Sequence, residues 1–283
     1  MINTFEASLP GWHRKTGLFV LFFVVEMMVF AIATLSPYVS MGALVPIHAT
    51  LTAVLLIAAL ILRSSARGRP YWPVCAAFFV AAAAVLLSVH FSDKLLGLFG
   101  LTVETAQGIA VAKFSESLLR VVPILVLMPF MGFGWSSLYL KKGRIGIWLP
   151  VGIAAWIVFP IVAYLLMPTR EGALDKLLPL APWILLFVFS NALMEELLFR
   201  GLFLKPYGAF LGRTVSNILA AVVFTLMHTQ VTYAPEMLQF LAIVLVLSLI
   251  WGYLIQKTDS LWGAVLFHAA GDCLVIFPIF AGM

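Results

Sequence analysis

The stretch IWLPVGIAAWIVFPIVAYLLM, residues 147–167, decides the fold, because its 21 residues carry no charge and nothing more polar than Trp and Tyr rings. A helix of about 20 residues rises about 30 Å, the thickness of a bilayer's hydrocarbon core. Lys141, Lys142 and Arg144 stand before the run and Arg170 after it, as at the two edges of a membrane. The same reading extends to the rest of the chain. Further spans are predicted at Thr16 to Ser36, Gly42 to Leu62, Tyr71 to Phe91, Glu116 to Leu140, Pro182 to Leu204, Arg213 to Thr229, Glu236 to Gln256 and Leu261 to Phe280. The 283 residues are 63% hydrophobic and 10% charged, whereas soluble domains are about 25% charged. The expected fold is therefore all-α, a polytopic transmembrane bundle of about eight or nine helices.

Charge sets the expected orientation. With the N-terminus in the cytoplasm, eleven basic residues fall in inside segments: Arg14, Lys15, Arg63, Arg67, Arg69, Lys141, Lys142, Arg144, Lys205, Arg213 and Lys257. Only Lys94, Lys113, Arg170 and Lys176, four in all, fall outside, and Arg120 and Arg200 lie in spans. This asymmetry is the positive-inside pattern of an inner (plasma) membrane protein, and nine spans would put the C-terminus outside. The net charge of +5 is dispersed in short clusters, which argues against a nucleic-acid partner. The first span is longer than a signal-peptide core and is read as retained, although Ala31-Ile32-Ala33 imitates a cleavage site. Between Phe91 and Lys113, the spacing of Leu95, Leu98, Phe99 and Val103 predicts an interfacial helix, with a plain loop as the alternative. Cys75 and Cys273 lie in apolar runs and are read as packing residues.

Ionisable groups divide the chain functionally. Residues 1–167 carry no recognisable motif, whereas 168–283, after the charged segment containing Arg170, Glu171, Asp175 and Lys176, hold most of the intramembrane acids and bases. Each such group costs about 2.5–3.5 kcal/mol at the centre of a span, so Glu195, Glu196, Arg200, His228, His268 and Asp272 are candidates for function. Glu196 and Arg200, four apart, can neutralise each other on one helix face. Glu195 points about 100° away and is free to face a cavity. His268 and Asp272 are again four apart, and Asn191 lies one turn before Glu195. At about 1.5 Å per residue the four groups Glu195, His228, His268 and Asp272 all fall in the middle of the bilayer, compatible with one water-filled pocket open to the cytoplasm.

Glu195-Glu196-x-x-x-Arg200, Phe224-x-x-x-His228 and His268-x-x-x-Asp272, in this order and with Phe199-Arg200-Gly201 in the first, resemble the three motifs of the CPBP family. These are the CAAX-processing and bacteriocin-processing intramembrane endopeptidases, also called Abi proteins, and the likeness covers Pro182 to Pro278. The resemblance implies hydrolysis of peptide bonds by activated water. Glu195 would be the general base, assisted by His228; His268 would donate to the oxyanion; Asp272 would orient His268; Glu196 and Arg200 would support the site. Asp272 stands where prenyl-protein proteases usually have Asn, and an ionised Asp cannot donate to an oxyanion. The substrate would be a prenylated C-terminal tail, a leader peptide or a membrane-protein tail.

Metal-free catalysis is the expectation, because the His-Glu-x-x-His helix motif of zinc proteases is absent. A catalytic zinc on His228, His268 and Glu195 is the alternative. The chain has no Gly-x-Ser-Gly turn of a rhomboid-like protease and no Gly-x-Gly-Asp of a presenilin-like one. Competing readings are a non-catalytic immunity or scaffold factor, a proton-coupled transporter, and a polar knot that fixes helix packing. Elsewhere the plainer readings are preferred. Glu26 is a structural acid, Glu116 and Arg120 form a local pair, and His48 and His90 are isolated. Trp72, Trp135, Trp148, Trp183, Trp251 and Trp262 are interfacial anchors, and Pro123, Pro129, Pro160 and Gly152 allow kinks or close approach.

Overall fold

A computed structural model describes residues 11–32, 39–168, 170–231 and 236–283. The described chain is helical throughout: α1 (Trp12–Ala31), α2 (Met41–Ser64), α3 (Trp72–Leu98), α4 (Ala106–Phe130), α5 (Ile145–Leu166), α6 (Ala173–Leu177), α7 (Ala181–Glu195), α8 (Leu204–Leu211), α9 (Arg213–Leu226), α10 (Met237–Thr258), α11 (Trp262–Gly271) and α12 (Cys273–Ala281). A π-helical turn at Glu196–Gly201 continues α7 towards α8. Among the described residues, six segments are long and apolar enough to cross a membrane: Gly42–Ser64, Arg69–Leu98, Ile145–Leu166, Ala181–Leu211, Met237–Thr258 and Trp262–Ala281.

The remaining three predicted spans differ for physical reasons. Helix α1 carries Arg14, Lys15 and Glu26, α4 carries Lys113, Glu116 and Arg120, and α9 is a shorter apolar helix. The fourth span was expected to begin at Glu116, but α4 starts at Ala106, where Thr105 caps it by accepting from the Gly108 N–H. There is no separate interfacial helix. Phe91 to Leu98 complete α3, and α4 follows after a short loop. The last span is divided at Asp272 into α11 and α12. The end of the first predicted span, Ala33 to Ser36, lies outside the described residues.

Helix α3 packs on α2 and α4, α4 packs on α7, α5 packs on α11 and α12, and α9 packs on α10. Two close approaches fix this arrangement. A methyl group on Gly252 of α10 would fall 1.8 Å from Asn217 Oδ1 of α9, so only glycine lets these helices meet. On the other side of the bundle, a methyl on Gly263 of α11 would fall 2.5 Å from Trp148 Cβ of α5. The aliphatic faces left outside the bundle, such as Ile153, Ile157 and Ile161 of α5, are exposed as lipid-facing residues would be. Between α1 and α8, Tyr207 Oη donates to Glu26 Oε2 at 2.7 Å, and both residues are fully buried. This hydrogen bond fits the structural role expected of Glu26.

The two ends of the bundle differ in charge. At one end Arg14 donates to Tyr71 Oη, Lys141 and Lys205 pair with Asp259, and Arg213 donates to the Gln256 carbonyl. The opposite end holds the contact of Lys176 Nζ with the Ala281 carbonyl, where α6 meets the end of α12.

Candidate active site

Helix α7 delivers the first motif. Its last residue, Glu195, is followed by the π turn, in which the Leu202 N–H reaches back to the Leu197 carbonyl at 3.1 Å. Such a widened turn inside an α-helical segment is frequent at functional sites. Glu196 and Arg200 are both fully buried, with Arg200 Nη1 2.8 Å from Glu196 Oε1, so the predicted pair forms. Arg200 Nη2 also donates to Ser248 Oγ of α10, and the guanidinium lies 4.1 Å from the centre of the Phe224 ring. An intrahelical ion pair, an interhelical hydrogen bond and a cation–π contact therefore hold one buried charge.

His268 of α11 sits where three carboxylates meet. Its Nδ1 donates to Glu196 Oε1 at 2.8 Å. Its Nε2 lies 3.4 Å from Glu195 Oε2 and 3.4 Å from Asp272 Oδ1. The expected orienting partner, Asp272, thus stands beside the cavity-facing nitrogen, and Glu196 holds the other. Helical spacing could not show this, because Glu196 and His268 are 72 positions apart. Asn191 donates to Asp272 Oδ2 at 3.0 Å, which joins α7 to the break between α11 and α12.

Aromatic rings complete the wall. Trp251 of α10 stacks on His268 with ring centroids 4.0 Å apart and planes 9° from parallel. Trp251 is only 4% exposed, so its assignment as an interfacial anchor is corrected: it fixes the plane of the histidine. Phe224 is 5.9 Å from His268 and 4.4 Å from His228, ring centre to ring centre. His228 Nδ1 is 2.8 Å from the Phe224 carbonyl one turn back, which fixes that nitrogen as the donor and leaves Nε2 for the cavity.

Glu195, His228, His268, Asp272 and Asn191 line one cavity of about 970 Å³ between α4, α7, α10, α11 and α12. The four residues expected to act together are therefore brought to the same space. The cavity extends to Val231, Glu236, Pro278 and Ile279, residues at the end of the bundle opposite the basic cluster. A pocket open towards the basic end was expected. The lining instead continues past the end of α9 at Leu226, a boundary that depth counting along single helices does not register.

Among the described residues, no three His, Cys, Asp or Glu side chains are placed to hold a metal ion. His48 and His90, read as isolated, face each other across α2 and α3 with ring centres 6.0 Å apart. They lie apart from this cavity's lining.

Residues 177–274 match the family model of the type II CAAX prenyl endopeptidases described as Rce1-like. No curated protein and no solved structure matches the chain. The matched segment runs from the end of α6 to the start of α12 and includes all three motifs with the whole of the constellation around His268. The likeness of this membrane-spanning helical bundle to the Rce1-like type II CAAX prenyl endopeptidases thus lies in residues 177–274, the part of the chain that carries the three motifs.

Proposed function

We propose that the chain is an intramembrane endopeptidase in which Glu195 and His228 activate a water against a peptide carbonyl held in the cavity. The observation that carries this reading is the placement of Glu195 Oε2 3.4 Å from His268 Nε2, on the wall of a cavity that His228 also lines. Glu195 takes a proton from water as the oxygen attacks the carbonyl carbon. His268, held through Nδ1 by Glu196 and stacked on Trp251, donates from Nε2 to the developing oxyanion. The proton on Glu195 then passes to the departing amide nitrogen, and the peptide leaves as a new carboxyl and a new amine. Asp272, held by Asn191, steadies the cavity-facing edge of His268. No step requires a metal.

The substrate is a peptide or membrane-protein tail reached from within the bilayer. The family match favours prenylated C-terminal tails among the three substrate classes. The lipid bilayer is the other partner, and the protein resides in the plasma membrane with its N-terminus and basic end in the cytoplasm.

Purified wild type and Glu195→Gln are incubated in detergent with quenched peptides and prenylated peptides, with and without a chelator. Wild type is expected to cleave at least one probe, with equal rates in chelator, and Glu195→Gln to lose about 10²-fold or more in rate. Cleavage by Glu195→Gln at the wild-type rate would remove Glu195 as the base. Loss of wild-type activity in chelator would restore the metal alternative.

A further inference from the structure

The front half of the chain supplies one group of charges to the cavity. On α4, Lys113, Glu116 and Arg120 form a chain of ion pairs: Lys113 Nζ to Glu116 Oε2 at 2.7 Å, and Arg120 Nη2 to Glu116 Oε1 at 2.7 Å. Arg120 Nε donates to Ser88 Oγ of α3 at 2.8 Å. Two cations thus share one carboxylate. Their remaining contacts are poor ones for charged donors. Arg120 Nη1 is directed at the Met194 thioether, 3.7 Å away, and Lys113 Nζ lies 5.9 Å from the centre of the Phe187 ring. A thioether is a weak acceptor, and each cation has further N–H groups to offer.

The location of these cations bears on substrate. Phe187 and Met194 both belong to α7, and Met194 directly precedes Glu195. Lys113 and Arg120 line the 970 Å³ cavity together with Glu195, and they also line a second cavity of about 520 Å³ with Ser88, Ser92 and Asp93. They therefore stand in the wall between the two. Packed helix axes lie about 8–10 Å apart, and three residues of extended peptide span about 10 Å.

We infer that Lys113 and Arg120 bind the terminal carboxylate of the substrate peptide, so that the enzyme measures its cleavage position from the free C-terminus. This inference rests on the endopeptidase reading above and names the substrate feature that the same site reads. A carboxylate oxygen replaces the Met194 sulfur at Arg120 Nη1 and meets Lys113 Nζ, giving charge-assisted bonds. Glu195 and Asp272 repel the same anion from the other side, so the peptide enters with its C-terminus towards α4 and its scissile carbonyl beside Glu195.

The test is a binding measurement on Glu195→Gln, which separates it from cleavage. The probe is a fluorescein-labelled peptide ending in S-farnesylcysteine, two aliphatic residues and methionine, made both as the free acid and as the carboxamide. The acid is expected to bind about tenfold tighter or more, the lower end of what a charge-assisted hydrogen bond supplies. Adding Lys113→Gln or Arg120→Gln should abolish the difference, and Arg120→Lys should restore part of it. Equal binding of acid and amide, a preference for acid that survives both glutamine variants, or binding of neither peptide would overturn the inference. The acid and amide comparison needs no substitution in α4, so a variant that fails to fold does not remove the test. A failure of proteolysis is registered separately, as absence of cleavage by wild type.

Discussion

Arg200 shows what a single residue must satisfy inside this bundle. It is fully buried, and its partners lie on the π turn, α9 and α10: Glu196, the ring of Phe224 and Ser248. Arg200→Ala would leave Glu196 as an uncompensated buried charge and should destabilise the fold by about 3–5 kcal/mol. The measurement is thermal unfolding in detergent, together with membrane abundance. Arg200→Lys keeps the charge but not the planar fork, so it should fall between wild type and Arg200→Ala. An unchanged melting temperature in Arg200→Ala would show that the pair contributes nothing to stability. At this scale the sequence was informative only within one helix. The spacing of four between Glu196 and Arg200 revealed their pairing, because a helix turns residues four apart onto one face. The bond from His268 to Glu196 was hidden, because it depends on how α7 and α11 pack.

The elements place the chemistry, and their spacing depends on glycine. Helix α9 brings Phe224 to the cavity, the turn that follows it brings His228, and α10 brings Trp251. Gly252 lets the two helices meet, with Asn217 of α9 donating to the Leu249 carbonyl of α10 at 2.9 Å. Gly252→Ala would drive a methyl into Asn217 Oδ1 and should cost about 1–3 kcal/mol, the range for overpacking. It should also lower the cleavage rate by moving His228 away from Glu195. Asn217→Ala in the same chain removes the atoms that clash, so the double variant should recover stability and rate relative to Gly252→Ala alone. A strictly additive double variant would mean that this contact does not set the helix spacing. Element types were legible because apolar runs of span length have few alternatives in a bilayer. Element ends were less so. Capped by Thr105, α4 begins at Ala106, ten residues before the expected Glu116, because a capping threonine in a stretch that also carries Asp93, Lys94 and Glu104 resembles a loop. Trp251 was misplaced for a related reason: an indole near a span end serves as an anchor or a core residue according to which face it occupies, and its neighbours settle that.

At the scale of the whole molecule, the basic end and the cavity lie on opposite sides. Lys141, Lys142, Arg144, Lys205 and Arg213 fall on the end where α5, α9 and α11 begin, and Arg144 N donates there to the Thr258 carbonyl at 2.8 Å. Val231, Glu236, Pro278 and Ile279 extend the cavity lining to the other end. Basic segments stay in the cytoplasm during insertion, so the cavity should be reached from the bilayer and the extracytoplasmic side. Single cysteines at Glu236 and at Lys142, both exposed, test this in a chain with Cys75 and Cys273 replaced by alanine. A membrane-impermeant maleimide added to intact cells should label the Glu236→Cys chain at once and the Lys142→Cys chain only after permeabilisation. The reverse pattern would put the basic end outside and the cavity towards the cytoplasm, where newly prenylated tails would meet it directly. Labelling thus decides from which compartment a substrate must come, because a water-filled site within the hydrocarbon layer is reached through the side on which its lining meets solvent.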